Sequence, residues 1–99
     1  MKPITEREFS WRVEELLKIY GWKFYHVVDQ RHYARRTTKG FPDYTAAKEP
    51  RLVFFELKSE KGKLTPEQKK WIDLLIACGQ EVYIWKPSQM EEVIKTLGR

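Results

Sequence analysis

Apolar residues recur along the chain in stretches that alternate between helical and strand spacing. Residues 5–20 carry an apolar stripe at helical spacing, and Thr5 with Glu8 three positions later forms the pattern of a capping box. Gly21 is placed to end that helix. Residues 22–28 alternate and are rich in strand-forming types, so they predict a first strand. The helical stripe consists of Phe9, Val13, Leu16, Leu17 and Tyr20.

The middle of the chain predicts a hairpin and a second helix. Residues 43–47 and 52–58 have strand character and are separated by the short turn 48–51. Residues 65–68, Thr-Pro-Glu-Gln, combine an N-cap, a proline at the first helical position and a capping-box glutamine. The helix they begin is expected to run to residue 78 with these residues inward: Trp71, Ile72, Leu74, Leu75 and Cys78.

The remaining segments complete a mixed order of elements. A polar, basic loop is predicted over 29–39, a last strand over 81–85, and a short final helix capped by Ser88 and ending at Leu97. The order α-β-β-β-α-β-α predicts an α/β fold with a central sheet flanked by helices, in one domain spanning 1–99. Three tryptophans are expected in the core rather than at a subunit contact: Trp11, Trp22 and Trp85.

Composition narrows the classes of function. The net charge of +5 favours a polyanionic partner such as nucleic acid, although charge alone does not distinguish a binding protein from any other basic domain. A single cysteine, Cys78, excludes an intramolecular disulfide and predicts a small buried core residue. His26 and His32 lack the spacing of a zinc site. No signal peptide or bilayer-spanning run is present, which predicts a cytoplasmic location.

Two short motifs carry the candidate chemistry. Residues 40–43, Gly-Phe-Pro-Asp, precede one strand of the hairpin, and Glu56-Leu57-Lys58 ends the other. A hairpin centred between residues 49 and 50 pairs positions whose numbers sum to 99, so Asp43 faces Glu56. Opposed side chains lie about 5 Å apart on one face, and two carboxylates that close repel each other unless positive charge is near.

Two sources of positive charge are available. A divalent cation is one, since Mg²⁺ is commonly held by one or two carboxylates with water and phosphate oxygens. Lys58 is the other, because it lies two residues beyond Glu56 on the same strand face. Leu57 points to the core, and its carbonyl is a candidate further ligand. The alternative is structural: Asp43 caps a turn after Pro42, and Glu56 with Lys58 forms an ordinary surface charge pair.

Two more side chains are candidates for the same site. Glu6 lies on the helix stripe that faces the core and is a candidate metal ligand, with a helix-dipole role equally good and Glu8 ranked second. Gln68 begins the helix after the Lys58 strand and is a candidate to reach a phosphate or the attacking water. Its capping-box role is the equally good alternative.

Basic residues flank both motifs and are candidates for contacting DNA phosphates, which would make binding salt-dependent. His32 and Tyr33 could stack on unpaired bases. The alternative is a solvated flexible loop. No recognition helix stands out, so sequence-specific readout is not indicated. The candidate DNA-binding residues are Arg31, Arg35, Arg36 and Lys39 before the first motif, and Lys61 and Lys63 after the second.

On these residues the chain resembles the PD-(D/E)xK nuclease superfamily, and within it a stand-alone VRR-NUC (virus-type replication-repair nuclease) domain. The resemblance implies a restriction-endonuclease-like αβββαβ core with a mixed sheet, and Mg²⁺- or Mn²⁺-dependent cleavage of DNA by structure rather than sequence. The segments that carry it are Glu6 with Phe9, residues 40–43, residues 56–58, and the block 62–68, Gly-Lys-Leu-Thr-Pro-Glu-Gln.

The resemblance also implies roles for the site residues. Asp43 and Glu56 would hold the metal with the Leu57 carbonyl and Glu6, while Lys58 would position or deprotonate the attacking water, leaving a 5′-phosphate and a 3′-hydroxyl. Small stand-alone members are similar to Holliday-junction resolvases and work as homodimers, so junction resolution by a bacterial protein, encoded by the host, a phage or a prophage, is the expected activity. The alternatives are a flap or nicking endonuclease acting on other branched DNA, and a non-catalytic DNA-binding module.

Overall fold

The computed structural model of the protein describes residues 4–27 and 39–99. Its strands form one four-stranded sheet in chain order, β1 to β3 antiparallel and β4 parallel to β3. Helices pack on both faces, which confirms the predicted α/β class and order of elements. The elements are α1 (Glu6–Ile19), β1 (Lys23–His26), β2 (Tyr44–Lys48), β3 (Arg51–Leu57), α2 (Pro66–Ala77), β4 (Glu81–Trp85) and α3 (Met90–Leu97), with a 3₁₀ turn over Pro87–Gln89.

The main core lies between the sheet and the pair α1 and α3. The predicted stripe of α1 buries its central residues completely, and alternate residues of β3 meet them, as strand geometry requires. Trp22 and Trp85 are buried as predicted, and the Trp22 indole donates a hydrogen bond to the Leu97 carbonyl at 2.8 Å. The residues of α1 and β3 in this core are Phe9, Val13, Leu17, Val53, Phe55 and Leu57.

The hairpin has the predicted register. Pairing runs from Tyr44 opposite Phe55 to Lys48 opposite Arg51, and a two-residue turn of Glu49 and Pro50 joins the strands. The next pair beyond Tyr44 and Phe55 is Asp43 and Glu56, the two acids that the spacing predicted to face each other. β1 spans Lys23–His26 within the predicted 22–28, and the Val27 N–H donates to the Asp43 carbonyl at 2.9 Å just beyond its end. Residue 28 of that prediction lies outside the described residues.

Three predictions of burial were wrong. Leu74 is 55% exposed and Cys78 is exposed, because these residues are four apart on one row of α2 and that row points away from the sheet. Ile72 is the buried residue of α2, with Trp71 and Leu75 half-buried. Trp11 is 57% exposed, since two residues of helix rotate it about 200° away from Phe9.

The start of the last helix also differs from the prediction. Ser88 lies inside the 3₁₀ turn and does not cap α3; its backbone N–H donates to the Glu60 carboxylate at 2.9 Å. Pro87 fixes a helical φ one residue earlier, so the turn starts before Ser88. Gln89 accepts from the Lys86 backbone N–H at 2.9 Å. Within the described ranges no helix is long and apolar enough to cross a bilayer.

Candidate active site

An open cavity of about 930 Å³ lies at the end of the sheet where β1, β2 and β3 meet α1 and the first turn of α2. Its walls bring together side chains that are far apart in sequence. Glu6 comes from α1, Lys39 from the segment before β2, and Gln68 from α2. Asp43 and Glu56, the two acids that the motifs predicted, both line it.

The first motif attaches the segment before β2 to α2. Gly40 has φ +89°, and a Cβ there would lie 2.5 Å from the Glu67 carbonyl carbon, so the position needs glycine on two grounds. The Phe41 ring meets Trp71 of α2 edge-on, with ring centroids 5.0 Å apart. The motif therefore sets where the first turn of α2 stands relative to the acid that ends the motif.

The second motif places a carboxylate inside the protein. Glu56 is only 1% exposed, and its Oε1 accepts a hydrogen bond from the Asp43 backbone N–H at 3.2 Å. Burial raises the pKa of Glu56 to about 9, and the hydrogen bond and negative charge of the Asp43 side chain act in the same direction. The positive charge of Lys58 opposes this shift without cancelling it. The two acids thus meet on one side of the hairpin, as the register predicted.

Lys58 and Gln68 both approach the buried carboxylate. The Lys58 ammonium lies 3.9 Å from Glu56 Oε2, and the Gln68 amide donates to the same oxygen at 3.1 Å. Gln68 also accepts from the Thr65 backbone N–H at 2.9 Å through its amide oxygen. Gln68 therefore serves both as the capping-box residue of α2 and as a residue of the site. The cap occupies its amide oxygen and directs its NH₂ group to Glu56.

Glu6, the candidate acid on α1, lies at the cavity that holds Asp43 and Glu56. Glu6 is exposed and lines the cavity, whereas Glu8 closes the capping box with Thr5. Across residues 4–27 and 39–99, no group of three or more acidic, histidine or cysteine side chains is close enough to hold a metal. Glu6 and the carbonyl of Leu57, a core residue, therefore stay predicted ligands.

The candidate DNA-binding residues are spread around the site. Lys39 is exposed at the cavity wall. Lys61 and Lys63 are exposed on the connection between β3 and α2, outside the cavity lining. The other predicted residues of the basic loop lie outside the described residues: Arg31, His32, Tyr33, Arg35 and Arg36.

A further acid, Glu14, lines the same cavity and has its own partners, and sequence reasoning missed it. The Tyr44 hydroxyl donates to Glu14 Oε2 at 2.5 Å, and His26 Nδ1 lies 3.3 Å from the same oxygen. The His26 ring stacks on Tyr44 with centroids 4.0 Å apart. Burial and the bond to Glu14 raise the pKa of Tyr44. A signal was present in the sequence, because Glu6, Ser10 and Glu14 follow at four-residue spacing and all line the cavity.

The acid pair fits a hard divalent cation. Asp43 and Glu56 offer oxygen donors only, the ligand type that Mg²⁺ and Mn²⁺ prefer. Burial, and after it the hydrogen bond and negative charge of Asp43, raises the pKa of Glu56, so ionisation of this carboxyl is disfavoured there. A cation bound by both acids would offset the repulsion between them, and one or two carboxylates are the usual protein contribution to a Mg²⁺ site.

Comparison with known proteins identifies the family to which this chain belongs. The family model of the VRR-NUC domain matches residues 20–89, and the chain belongs to this family. A solved structure described as a VRR-NUC domain is 19% identical, with a TM-score of 0.70 over 93% of this chain and 97% of that one. A VRR-NUC domain protein is 23% identical, with a TM-score of 0.65 over 98% and 93%. A search of curated proteins gave no match.

Family membership sets the general activity. VRR-NUC domains are nucleases of the PD-(D/E)xK type, generally dependent on divalent metal, with DNA as the partner. The matched residues include both motifs and the N-cap of α2, while Glu6 and Glu14 of α1 lie before them. The predicted membership of the VRR-NUC family is therefore confirmed.

Proposed function

We propose that the protein is a Mg²⁺- or Mn²⁺-dependent, structure-specific endodeoxyribonuclease that acts as a homodimer on four-way DNA junctions. The observation that carries the hydrolytic part is the buried Glu56 carboxylate beside Asp43, with Lys58 and Gln68 directed at the same group. The junction and the dimer rest on the resemblance to small stand-alone resolvases, and small size makes self-association structurally reasonable.

The residues that would hold the metal are Asp43 and Glu56, with the Leu57 carbonyl and Glu6 as further ligands. When bound, the ion supplies Lewis-acid polarisation of the scissile phosphate and a bound water of lowered pKa. Glu56 must give up its proton to serve as a ligand, because its pKa in the metal-free protein lies near 9. The site is therefore expected to load best at mildly alkaline pH.

Lys58 and Gln68 act on the reaction through their positions. The Lys58 ammonium is half-buried, so it is poorly screened and can orient a water or offset negative charge on the phosphorane. Gln68 holds one oxygen of Glu56 with its NH₂ group, which fixes the orientation of that carboxylate. Its own amide is fixed in turn by the cap of α2.

Binding of DNA is proposed to use the basic residues around the cavity. Lys39 borders the acid pair, and Lys61 with Lys63 extends positive charge along the connection to α2. Arg31, Arg35 and Arg36 belong to the segment that joins two stretches contributing to the cavity wall at Val27 and Lys39. Neutralising phosphates with these groups would make affinity fall steeply with salt. A cytoplasmic location accompanies this proposal.

The test is cleavage of labelled DNAs by purified protein with Mg²⁺ and with Mn²⁺. The substrates are a four-way junction, a flap, a nicked duplex and an intact duplex of shared sequence. We expect the junction to be cut in preference, and Asp43→Asn, Glu56→Gln and Lys58→Met each to lower the rate by on the order of 10³-fold. Glu60→Gln is the matched control, since Glu60 is an acid after β3 that bonds the Ser88 backbone.

Each alternative has its own outcome in that experiment. Preferential cutting of the flap or nicked substrate would replace the junction assignment by a flap or nicking endonuclease. Tight binding with no cutting by wild type in either ion would indicate a DNA-binding module. Light scattering across a concentration series measures the dimer independently, and a monomer at all concentrations would remove the two-site arrangement on a junction.

A further inference from the structure

One wall of the cavity carries an exposed tryptophan to which the proposed hydrolysis gives no role. Of the four tryptophans, all within the described residues, only Trp11 is exposed, at 57%. It lines the same cavity as Asp43 and Glu56. The guanidinium carbon of Arg7 lies 5.0 Å from its ring centroid, so a cation rests against the indole. What distinguishes Trp11 from the other exposed apolar side chains, such as Ile19 and Leu74, is that it lines the cavity that holds the acid pair.

The surroundings of Trp11 are charged and not apolar. Its four neighbours on the helix surface, three and four residues away, are Arg7, Glu8, Glu14 and Glu15. A single indole among charges does not make the extended contact that a second protein chain requires, which is on the order of 1,000 Å². The feature fits a small planar ligand that carries charge beside it.

The cavity has the charge and space for a nucleotide. Arg7, Lys39 and Lys58 contribute cations to its lining and suit a phosphate chain passing through it. Four acids share the lining: Glu14 is held by the Tyr44 hydroxyl, Glu6 is exposed, and Asp43 and Glu56 are the proposed metal ligands. A volume of about 930 Å³ is within the range of ligand sites that enclose small molecules.

We infer that Trp11 is a stacking platform for an unpaired DNA base next to the phosphodiester presented to Asp43 and Glu56, with Arg7 contacting the neighbouring phosphate. This deepens the proposed nuclease function and rests on it. A base in a continuous duplex is stacked between its neighbours and cannot lie on Trp11, whereas bases at a branch point or in a single strand can. The platform therefore selects DNA with unpaired bases at the site of cleavage.

The inference is tested by binding without divalent metal, so that no cleavage occurs. The probes are a fluorescein-labelled 12-nucleotide oligo-dT, the same backbone with abasic sites replacing the central bases, and a 12-base-pair duplex. We expect oligo-dT to bind wild type about 10- to 100-fold more tightly than it binds Trp11→Leu, the range that stacking on one aromatic side chain supplies. For the abasic probe and the duplex, the affinity of Trp11→Leu should be less than about threefold weaker than that of wild type.

Two further variants separate stacking from a structural role. Trp11→Phe keeps an aromatic face, so it should hold oligo-dT within about fivefold of wild type while losing most of the DNA-induced quenching of tryptophan fluorescence. Ile19→Ala is the matched control, because Ile19 is an apolar residue of α1 that is 71% exposed and lies outside the cavity. It should bind all probes as wild type does.

The outcomes distinguish this inference from the proposed function. Equal loss by Trp11→Leu on intact and abasic probes would overturn the stacking role, whether or not the protein cuts DNA. Selective loss on oligo-dT with no cleavage in Mg²⁺ or Mn²⁺ would keep the platform and end the nuclease proposal. Should Trp11→Leu not fold, quenching of wild-type fluorescence by oligo-dT but not by the abasic probe supports stacking, and equal quenching overturns it.

Discussion

Two glutamates line one cavity in this protein, and their surroundings differ sharply. Glu14 receives a hydrogen bond from the Tyr44 hydroxyl at 2.5 Å and has the His26 imidazole 3.3 Å away, and its side chain is partly open to water. Glu56 is almost fully buried with a second carboxylate, that of Asp43, as its neighbour. The Lys58 ammonium lies 3.9 Å from its Oε2 atom.

The difference lies in burial and in neighbouring charge, because both glutamates accept hydrogen bonds from the protein. Protein donors and water together satisfy Glu14, so its carboxylate is stable without any added group. Glu56 instead has a raised pKa, first because it is buried and then because of the hydrogen bond and negative charge of Asp43, and Lys58 opposes this shift only in part. A perturbed acid in a cleft is typical of functional sites, which supports the role proposed for Glu56 with Asp43.

The largest effect is expected from Gly40→Ala, which disturbs only the Glu56 side of the comparison. The added methyl would meet the α2 backbone at 2.5 Å and would also occupy a positive φ. We expect a loss of about 3 kcal/mol or more in the free energy of unfolding, measured in urea. Metal-dependent cleavage should fall further than stability alone explains, because the first turn of α2 carries Gln68.

Gly21→Ala is the matched control for that variant. Gly21 has φ +83°, almost the same as Gly40, but a Cβ there meets nothing within 4 Å. It should cost about 1 kcal/mol and leave cleavage by the folded protein unchanged. Equal losses in the two variants would show that backbone strain, and not the close approach to α2, determines the requirement for glycine at position 40.

A divalent cation should stabilise the folded protein through Glu56 and not through Glu14. At a hundredfold excess over its Kd, Mg²⁺ or Mn²⁺ adds about 2.7 kcal/mol, which raises Tm by about 10 °C in a chain of this size. The shift should disappear in Glu56→Gln and persist in Glu14→Gln. Differential scanning fluorimetry at pH 8 with EDTA controls measures it. A shift that survives Glu56→Gln would place the cation elsewhere.

The metal-free protein should lose stability as pH rises. Glu56 has an ordinary pKa when unfolded and about 9 when folded, so the folded state binds the extra proton between these values. Its contribution is complete below about pH 4.5 and is lost as pH approaches 9. We expect a fall of about 2 kcal/mol between pH 6.5 and pH 8, from urea titrations in EDTA.

Glu56→Gln should flatten that pH profile, because its amide does not titrate. The lowered pKa values of Glu60 and Glu81 act in the opposite direction and only below about pH 4.5, outside the measured window. A wild-type profile that rises between pH 6.5 and pH 8 would contradict the raised pKa of Glu56, and with it the difference in electrostatic surroundings between Glu56 and Glu14.

The sequence predicted what depends on local spacing. The register that sums to 99 brought Asp43 to Glu56 because a hairpin with a two-residue turn fixes every pair along it. The capping box predicted the start of α2, and with it the position of Gln68. These features follow from neighbours within one hairpin or one helical turn.

What the sequence did not predict depends on how elements pack. The exposure of Leu74 and Cys78 follows from which row of α2 meets the sheet, and an apolar pattern spread around a helix does not specify that row. Glu14 was missed because its partners come from β1 and β2, which α1 meets only in the folded protein. Trp11 was wrongly assigned to the core, although helical spacing alone places it about 200° from Phe9.

Removing the hydroxyl of Tyr44 should give the smallest change in the free energy of unfolding. It tests the Glu14 side of the comparison. Tyr44→Phe keeps the ring stack with Phe55, whose centroid lies 4.7 Å away, and deletes only the donor to Glu14. Because Glu14 is partly open to water, the loss should be about 1 kcal/mol in urea. The metal-induced rise in Tm should remain, since Glu56 is untouched. If Tyr44→Phe instead abolished that rise, Glu14 would belong to the metal site, and the two glutamates would form one functional group.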